Sequence, residues 1–177
     1  MVTNRHKQSG FTIVELLIVV VVIGILAAIS IVAYNGVQAR ARDGIRADAV
    51  QKITKALELY KIDFGRYPAA TANPGNGGWE LSTDATGTFM EALKDNGYLA
   101  TVPIDPLNDA SHAIWYYRYA PGTLSCPTTQ GGYYVLRFIS FESVANKPAD
   151  RSFTCPGGSW GNNSSNPAGT YTAFENY

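Results

Sequence analysis

Residues 9–17 read Ser9-Gly10-Phe11-Thr12-Ile13-Val14-Glu15-Leu16-Leu17 and open an apolar run that continues to about Tyr34. From Leu16 to Ile29 there is no charged or polar side chain, and between Phe11 and Ala33 only Thr12, Glu15 and Ser30 interrupt the run. At about 1.5 Å of rise per residue, residues 11–34 as a helix extend roughly 36 Å, enough to cross a hydrocarbon core of about 30 Å. Glu15 is the anomaly. An unpaired carboxylate inside lipid costs several kcal/mol, so it needs a partner and points to function.

On the N-terminal side of the run lie Arg5, His6 and Lys7 and no acid, which predicts a cytoplasmic N-terminus with the rest of the chain outside. An ordinary secretory signal would be cut after its apolar core. Leu26-Ala27-Ala28 is a poor site for that, because Leu26 is large and the apolar character continues through Ile29, Ile31 and Val32. The 177 residues suit one membrane segment and one modest domain. Formal net charge is zero, and without residues 1–10 the chain keeps 12 basic against 14 acidic residues, so no specific nucleic-acid partner is expected. Ten of the 11 tyrosines lie after residue 59, a composition that suits an extracellular β surface.

Those residues carry a resemblance. A short basic leader ending in Gly10, then Phe11, a glutamate five residues after the glycine, and a long apolar helix resemble the processing site of type IV pilins and the related pseudopilins. The resemblance implies that a prepilin peptidase cuts between Gly10 and Phe11, removing residues 1–10, and methylates the amino group of Phe11. It implies the pilin fold, of class α+β. A long N-terminal helix has a protruding hydrophobic half (residues 11–34), and its amphipathic half packs on a small antiparallel sheet within an extracellular domain (residues 35–177). It further implies assembly with other copies into a helical filament, driven by an inner-membrane platform and its ATPase motor. Glu15 would there meet the Phe11 ammonium of a neighbour. The subunit would wait in the cytoplasmic membrane, in contact with lipid, and reach the cell surface on assembly.

No proline precedes Pro68, so one helix is expected over residues 11–64. After Tyr34 the run becomes a stripe: Tyr34, Val37, Ala41, Ile45, Ala49, Ile53, Ala56 or Leu57, Tyr60 and Phe64. The other faces carry Arg40, Arg42, Asp43, Arg46, Asp48, Lys52, Lys55, Glu58 and Lys61, with Asp48–Lys52 and Glu58–Lys61 at pairing distance along a helix. Arg40, Arg42 and Arg46 fit either a solvated face or contacts with headgroups or a neighbour's acids. Gly24, Gly36 and Gly44 are weak points, and Gly36 and Gly44 are the candidates for any local unwinding on assembly. Gly65-Arg66-Tyr67-Pro68 ends the helix.

Residues 65–112 form a connecting region. A Gly, Asn and Pro loop spans residues 69–78, and Thr88-Phe89-Met90-Glu91 predicts a capping box opening a short helix closed by Asn96-Gly97, with Phe89, Leu93 and Met90 inward. Gly97-Tyr98-Leu99 followed by Pro103-Ile104-Asp105-Pro106 resembles the equivalent stretch of the major pseudopilins of type II secretion, whose following loop binds calcium. By that resemblance Asp105, Asn108, Asp109 and Ser111 would supply hard oxygen ligands. The alternative is a turn in which these side chains bond their own backbone.

Residues 113–177 predict a small antiparallel sheet from residues 113–119 and 133–141, with weaker strands at 152–155 and 170–174. In the second stretch the even set, Tyr134, Leu136 and Phe138, is the cleaner core face, leaving Arg137 exposed. Residues 156–169 read as loop, with overlapping sequons at Asn162 and Asn163. Cys126 and Cys155 are the two cysteines; in an exported domain an even pair is most simply a disulfide, the alternative being two free thiols.

The function expected is a structural subunit of a type IV pilus or pilus-like filament. The alternative is a major pseudopilin of type II secretion, favoured by the Gly97–Pro106 motif and disfavoured by the cysteine pair. A membrane-anchored enzyme or binding domain is the reading from another class. Against it, His6 and His112 are the sole histidines, and there is no nucleophile elbow, phosphate loop or zinc spacing.

Overall fold

A computed structural model of the chain describes residues 11–70, 77–85, 87–151, 153–160 and 168–176. The leader, including Gly10, and the sequons at Asn162 and Asn163 lie outside the described residues. The described chain falls into two compact units, divided between Gln38 and Ala39.

Helix α1 spans Ile13–Phe64, 52 residues without a break, through Gly24, Gly36 and Gly44 alike. Within the first unit every residue from 11 to 38 is exposed, and the segment is long and apolar enough to cross a membrane. The serine within it is spent locally. The Ser30 hydroxyl donates to the Leu26 carbonyl at 2.8 Å, which removes a bare hydroxyl from the apolar run.

In the second unit α1 buries Ala49, Val50, Ile53, Ala56 and Leu57. The stripe therefore holds at Ala49, Ile53, Ala56 and Leu57 and fails on either side: Val37, Ile45 and Phe64 are exposed, and Asp43 and Arg46, expected on solvent faces, are fully buried. Both faces have helical spacing. Counting back from Ala49 in fours gives Ile45 and Ala41, whereas counting in threes gives Arg46 and Asp43, and the protein uses the second. The Asp48–Lys52 and Glu58–Lys61 pairs form as expected, at 2.7 and 2.8 Å. Gly65, at φ +71°, closes the helix by donating to the Lys61 carbonyl.

Four strands form one antiparallel sheet in the order β1 (Glu80–Leu81), β2 (Ile114–Tyr119), β3 (Tyr133–Phe138), β6 (Gly169–Phe174). The register places Ile114 opposite Phe138, and Tyr133 opposite Phe174. Because side chains alternate along a strand, Tyr134, Leu136 and Phe138 face the α1 core together with Tyr116 and Tyr171. The opposite face is not left to solvent. Tyr133 and Val135 pack with Cys126, Cys155 and Phe174, flanked by Phe153, Tyr119, Trp79 and Trp160, in a second apolar cluster. So β3 is buried on both faces, which a single core face does not anticipate.

The second cluster is built by the tail. Part of the expected loop at 156–169 is strand β5 (Gly158–Trp160), paired with β4 (Phe153–Cys155), and the Cys126–Cys155 disulfide, with Cα atoms 5.0 Å apart, fastens this hairpin to the β2–β3 connection. The short helix α2 (Glu91–Asp95) also differs from expectation at its start. Its cap is Met90 in the left-handed region (φ 49°) with no side-chain cap, so the capping box is absent. The Met90 N–H donates instead to Glu80 Oε2 at 2.8 Å. Phe89, Met90 and Leu93 are buried, as expected.

Two stability predictions follow from this packing. Cys126→Ser or Cys155→Ser should cost about 3 kcal/mol, from the freed loop closed by the bridge, read as a lower denaturant midpoint that reductant reproduces in the parent protein. An unchanged midpoint would show that the apolar cluster holds the tail alone. Tyr134→Phe should be neutral or stabilising by up to about 1 kcal/mol, because the buried hydroxyl has no hydrogen-bond partner among the described residues.

Candidate functional site

The residues singled out from sequence fall into two groups, one at the start of α1 and one where the connecting region meets it. At the start, Glu15 already has a partner. Its Oε2 accepts hydrogen bonds from the Thr12 backbone N–H and the Thr12 hydroxyl, both at 2.8 Å, and the Glu15 N–H donates back to Thr12 Oγ1 at 3.2 Å. This reciprocal arrangement is a capping box, Thr12-x-x-Glu15, and it satisfies donors that a helix N-terminus otherwise leaves bare. A carboxylate near the positive end of a helix dipole is also favoured. The acid that looked unpartnered within one subunit is the N-terminal lock of its own helix. Phe11 is 90% exposed beside it.

The second group is a buried charge cluster. Arg46 lies on α1 with no exposed surface, and its guanidinium grips Asp105 with two parallel bonds, Nε to Oδ2 at 2.7 Å and Nη2 to Oδ1 at 3.1 Å. Nη1 reaches Asp43 Oδ1 at 3.0 Å and Glu142 Oε1 at 3.4 Å. The acids are tied down in turn. Asp43 accepts from the backbone N–H groups of Glu142 and Ser143 and from the Asn146 amide, and Asp105 accepts from the Leu107 N–H. Arg42 pairs with Glu142 at 2.7 Å on the rim. One helical turn thereby holds two distant segments, residues 105–107 and 142–146. Burial opposes the charge on Arg46, but the hydrogen bonds and fields of Asp105, Asp43 and Glu142 outweigh it and hold its pKa above the usual value. The Arg42 hydrogen bond, with help from Arg46, holds the Glu142 carboxyl below the usual range.

The four residues expected to ligate calcium are placed otherwise. Asp105 turns inward and spends both oxygens on Arg46. Asn108 pairs with Ser82, accepting from its hydroxyl at 2.6 Å and donating to its carbonyl at 3.0 Å. Asp109 accepts from the Ser111 N–H and meets His112 Nδ1 at 2.9 Å, while Ser111 is exposed. The acids that do converge near this loop, Asp43, Asp105 and Glu142, converge on Arg46. The set does not fit a calcium site, because its deepest carboxylate already faces a fixed positive charge. The turn reading of this stretch describes it better.

A third network, not anticipated from sequence, closes the chain's end. Glu175 accepts from the Tyr67 N–H just past α1, from Arg118 at 2.6 Å and from the Gly132 N–H at 2.7 Å. Gly132 is required there, since a Cβ would lie 2.6 Å from the Tyr119 carbonyl.

Glu142 gives the cluster a pH signature. Because its folded pKa is depressed, its contribution is present above the ordinary carboxylate pKa of 4.5 and is lost as pH falls through the folded value. Thermal melts should therefore weaken below about pH 4.5. Glu142→Gln should lower the melting temperature at pH 7 and flatten that acid limb relative to the parent; parallel limbs would remove Glu142 from the account.

Comparison with known proteins matches these features in chain order. Residues 5–31 match the prokaryotic N-terminal methylation motif, and residues 34–133 match the family described as type II secretion system protein G. The type II secretion system core protein G of Pseudomonas aeruginosa is 32% identical over 131 residues, covering 68% of this chain and 79% of that protein. Its counterpart in Aeromonas hydrophila is 29% identical over 67% of this chain and 78% of its own length. A fimbrial protein of Neisseria meningitidis is 30% identical over 57% and 58% of the two chains. No solved structure matches. The long apolar-then-amphipathic helix, the α+β architecture and a match across more than half of the sequence agree, and the chain belongs to the type II secretion system protein G family, a family of pilin-like filament subunits.

Proposed function

We propose that this chain is a major pseudopilin-type subunit that polymerises, through its N-terminal helix, into a filament serving protein secretion. The observation that carries this reading is the protein G match over residues 34–133, directly following the methylation motif at 5–31. It favours the secretion reading over the type IV pilus that the leader and the cysteine pair alone suggest. The pilus remains the second reading for two reasons: the fimbrial relative, and a disulfide-closed tail of the kind the resemblance associates with pilins. The role is structural rather than enzymatic.

In this reading the peptidase cuts between Gly10 and Phe11 and methylates Phe11, and the subunit then waits in the membrane with its N-terminus in the cytoplasm. The platform and its motor add it to the filament, where the apolar faces of residues 11–34 exchange lipid for other copies. Glu15 enters this step already hydrogen-bonded to Thr12, so its carboxylate is aimed but not neutralised. A neighbour's Phe11 ammonium supplies the missing charge. In a low-dielectric surrounding, stranding one member of such a pair costs about 3–5 kcal/mol.

Glutamine satisfies a capping box as glutamate does, so charge and cap can be separated. Glu15→Gln and Glu15→Ala should both yield cleaved, membrane-resident subunits that assemble poorly, measured as the filament fraction sheared from cells. Normal assembly by Glu15→Gln would assign the effect to the cap and sink the charge pairing. Gly10→Glu should leave the leader attached; a mature N-terminus at Phe11 by mass spectrometry would refute the cleavage site.

A further inference from the structure

The loop after Asp105 presents a disagreement: the family resemblance implies a bound calcium ion, and the residues present do not fit one. We infer that Arg46 is the built-in cation that closes this loop, so that the domain folds and holds its shape independently of divalent cations. The guanidinium already supplies what an ion would supply at Asp105, a positive charge touching both oxygens at 2.7 and 3.1 Å. It does so from α1, so the loop is fastened directly to the helix rather than to itself. Three acids surround it and each has a further anchor. Asp43 holds residues 142–146, Asp105 holds the Leu107 N–H, and Glu142 is shared with Arg42. The rest of the loop is fixed without an ion, Asn108 by Ser82 and Asp109 by Ser111 and His112. A calcium ion reaching Asp105 would have to displace Arg46 or sit against its charge.

The arrangement also has the geometry of a site that cannot be half made. Arg46 and Asp105 are both essentially without solvent contact, so removal of either strands the other in a low-dielectric pocket. A bound ion can be lost to a chelator; a side chain cannot.

The test uses the full chain in detergent, melted in excess EGTA and again in millimolar CaCl2. The expected result is superimposable curves, within about 1 °C, alongside a fall of about 10 °C for Arg46→Met in both buffers. A saturable rise in melting temperature with CaCl2 in the parent protein, or heat of calcium binding by titration calorimetry, would overturn the inference. Should Arg46→Met not fold, Asp105→Asn keeps an acceptor for the Leu107 N–H while removing the charge. It should melt lower than the parent and equally in EGTA and CaCl2, whereas a parent-like melting temperature for Asp105→Asn would show that Arg46 does not close the loop.

Discussion

The structure depends on one helix of two characters. Residues 16–29 of α1 carry no polar side chain and residues 49–57 bury one apolar face, yet both belong to one unbroken helix. Propensity alone does not hold its second half, which has a glycine at 44; packing of Ala49, Val50, Ile53, Ala56 and Leu57 does. That packing sets the rest. The sheet turns its Tyr134, Leu136 and Phe138 face toward α1, and the connecting region returns Met90, Leu93 and Asp105 to the same helix.

What was legible in the sequence was whatever local pattern decides without help. The apolar run, the Gly65 stop, the strands at 114–119 and 133–138 and the cysteine pair each carry their own signal. Capping boxes show where such signals fail. Thr88-x-x-Glu91 and Thr12-x-x-Glu15 have the same pattern, and the one in the apolar run forms while the one in the loop does not. Glu80, arriving from β1, takes the Met90 N–H, a contact between two segments that helical spacing around residue 90 does not reveal. In the apolar run nothing competes for the Glu15 carboxylate, so the local motif prevails.

The candidate site was legible in part for the same reason. Asp43 and Arg46 stand at the i, i+3 spacing of an internal pair, and that was the available signal. It was outweighed by Ile45 and Ala41, which also continue the stripe by a helical step. Hydrophobicity ranks Ile45 above Arg46 for burial unless the arginine has partners, and those partners come from residues 105 and 142, far along the chain. Asp105 stands out in the sequence as a carboxylate in a tight turn, and the structure sets the Arg46 guanidinium against both of its oxygens. A carboxylate after Pro103 in a tight turn reads as a ligand; only the fold reveals that a guanidinium reaches it first.

Why a charge cluster stands where one more apolar turn would fit can be argued from register. Apolar ridges on a helix repeat every three to four residues, so a face built from Ala49, Val50, Ile53, Ala56 and Leu57 specifies which side packs better than how far along it packs. Just before it, along the same helix, lies a run with no polar landmark between Leu16 and Ile29. Continuing the face with apolar residues at 43 and 46 would leave a sliding or rotated packing of α1 against its own domain weakly opposed. A two-bond arginine–aspartate pair with three further anchors tolerates no such shift, because a displacement of one residue leaves buried charges unpaired. The net stabilisation from such a cluster can be small, since desolvation offsets much of the attraction. Its larger effect is to make every alternative register costly. In a pilin-like filament subunit, a single fixed register in the half that carries the domain is what lets each copy present the same surface to the next.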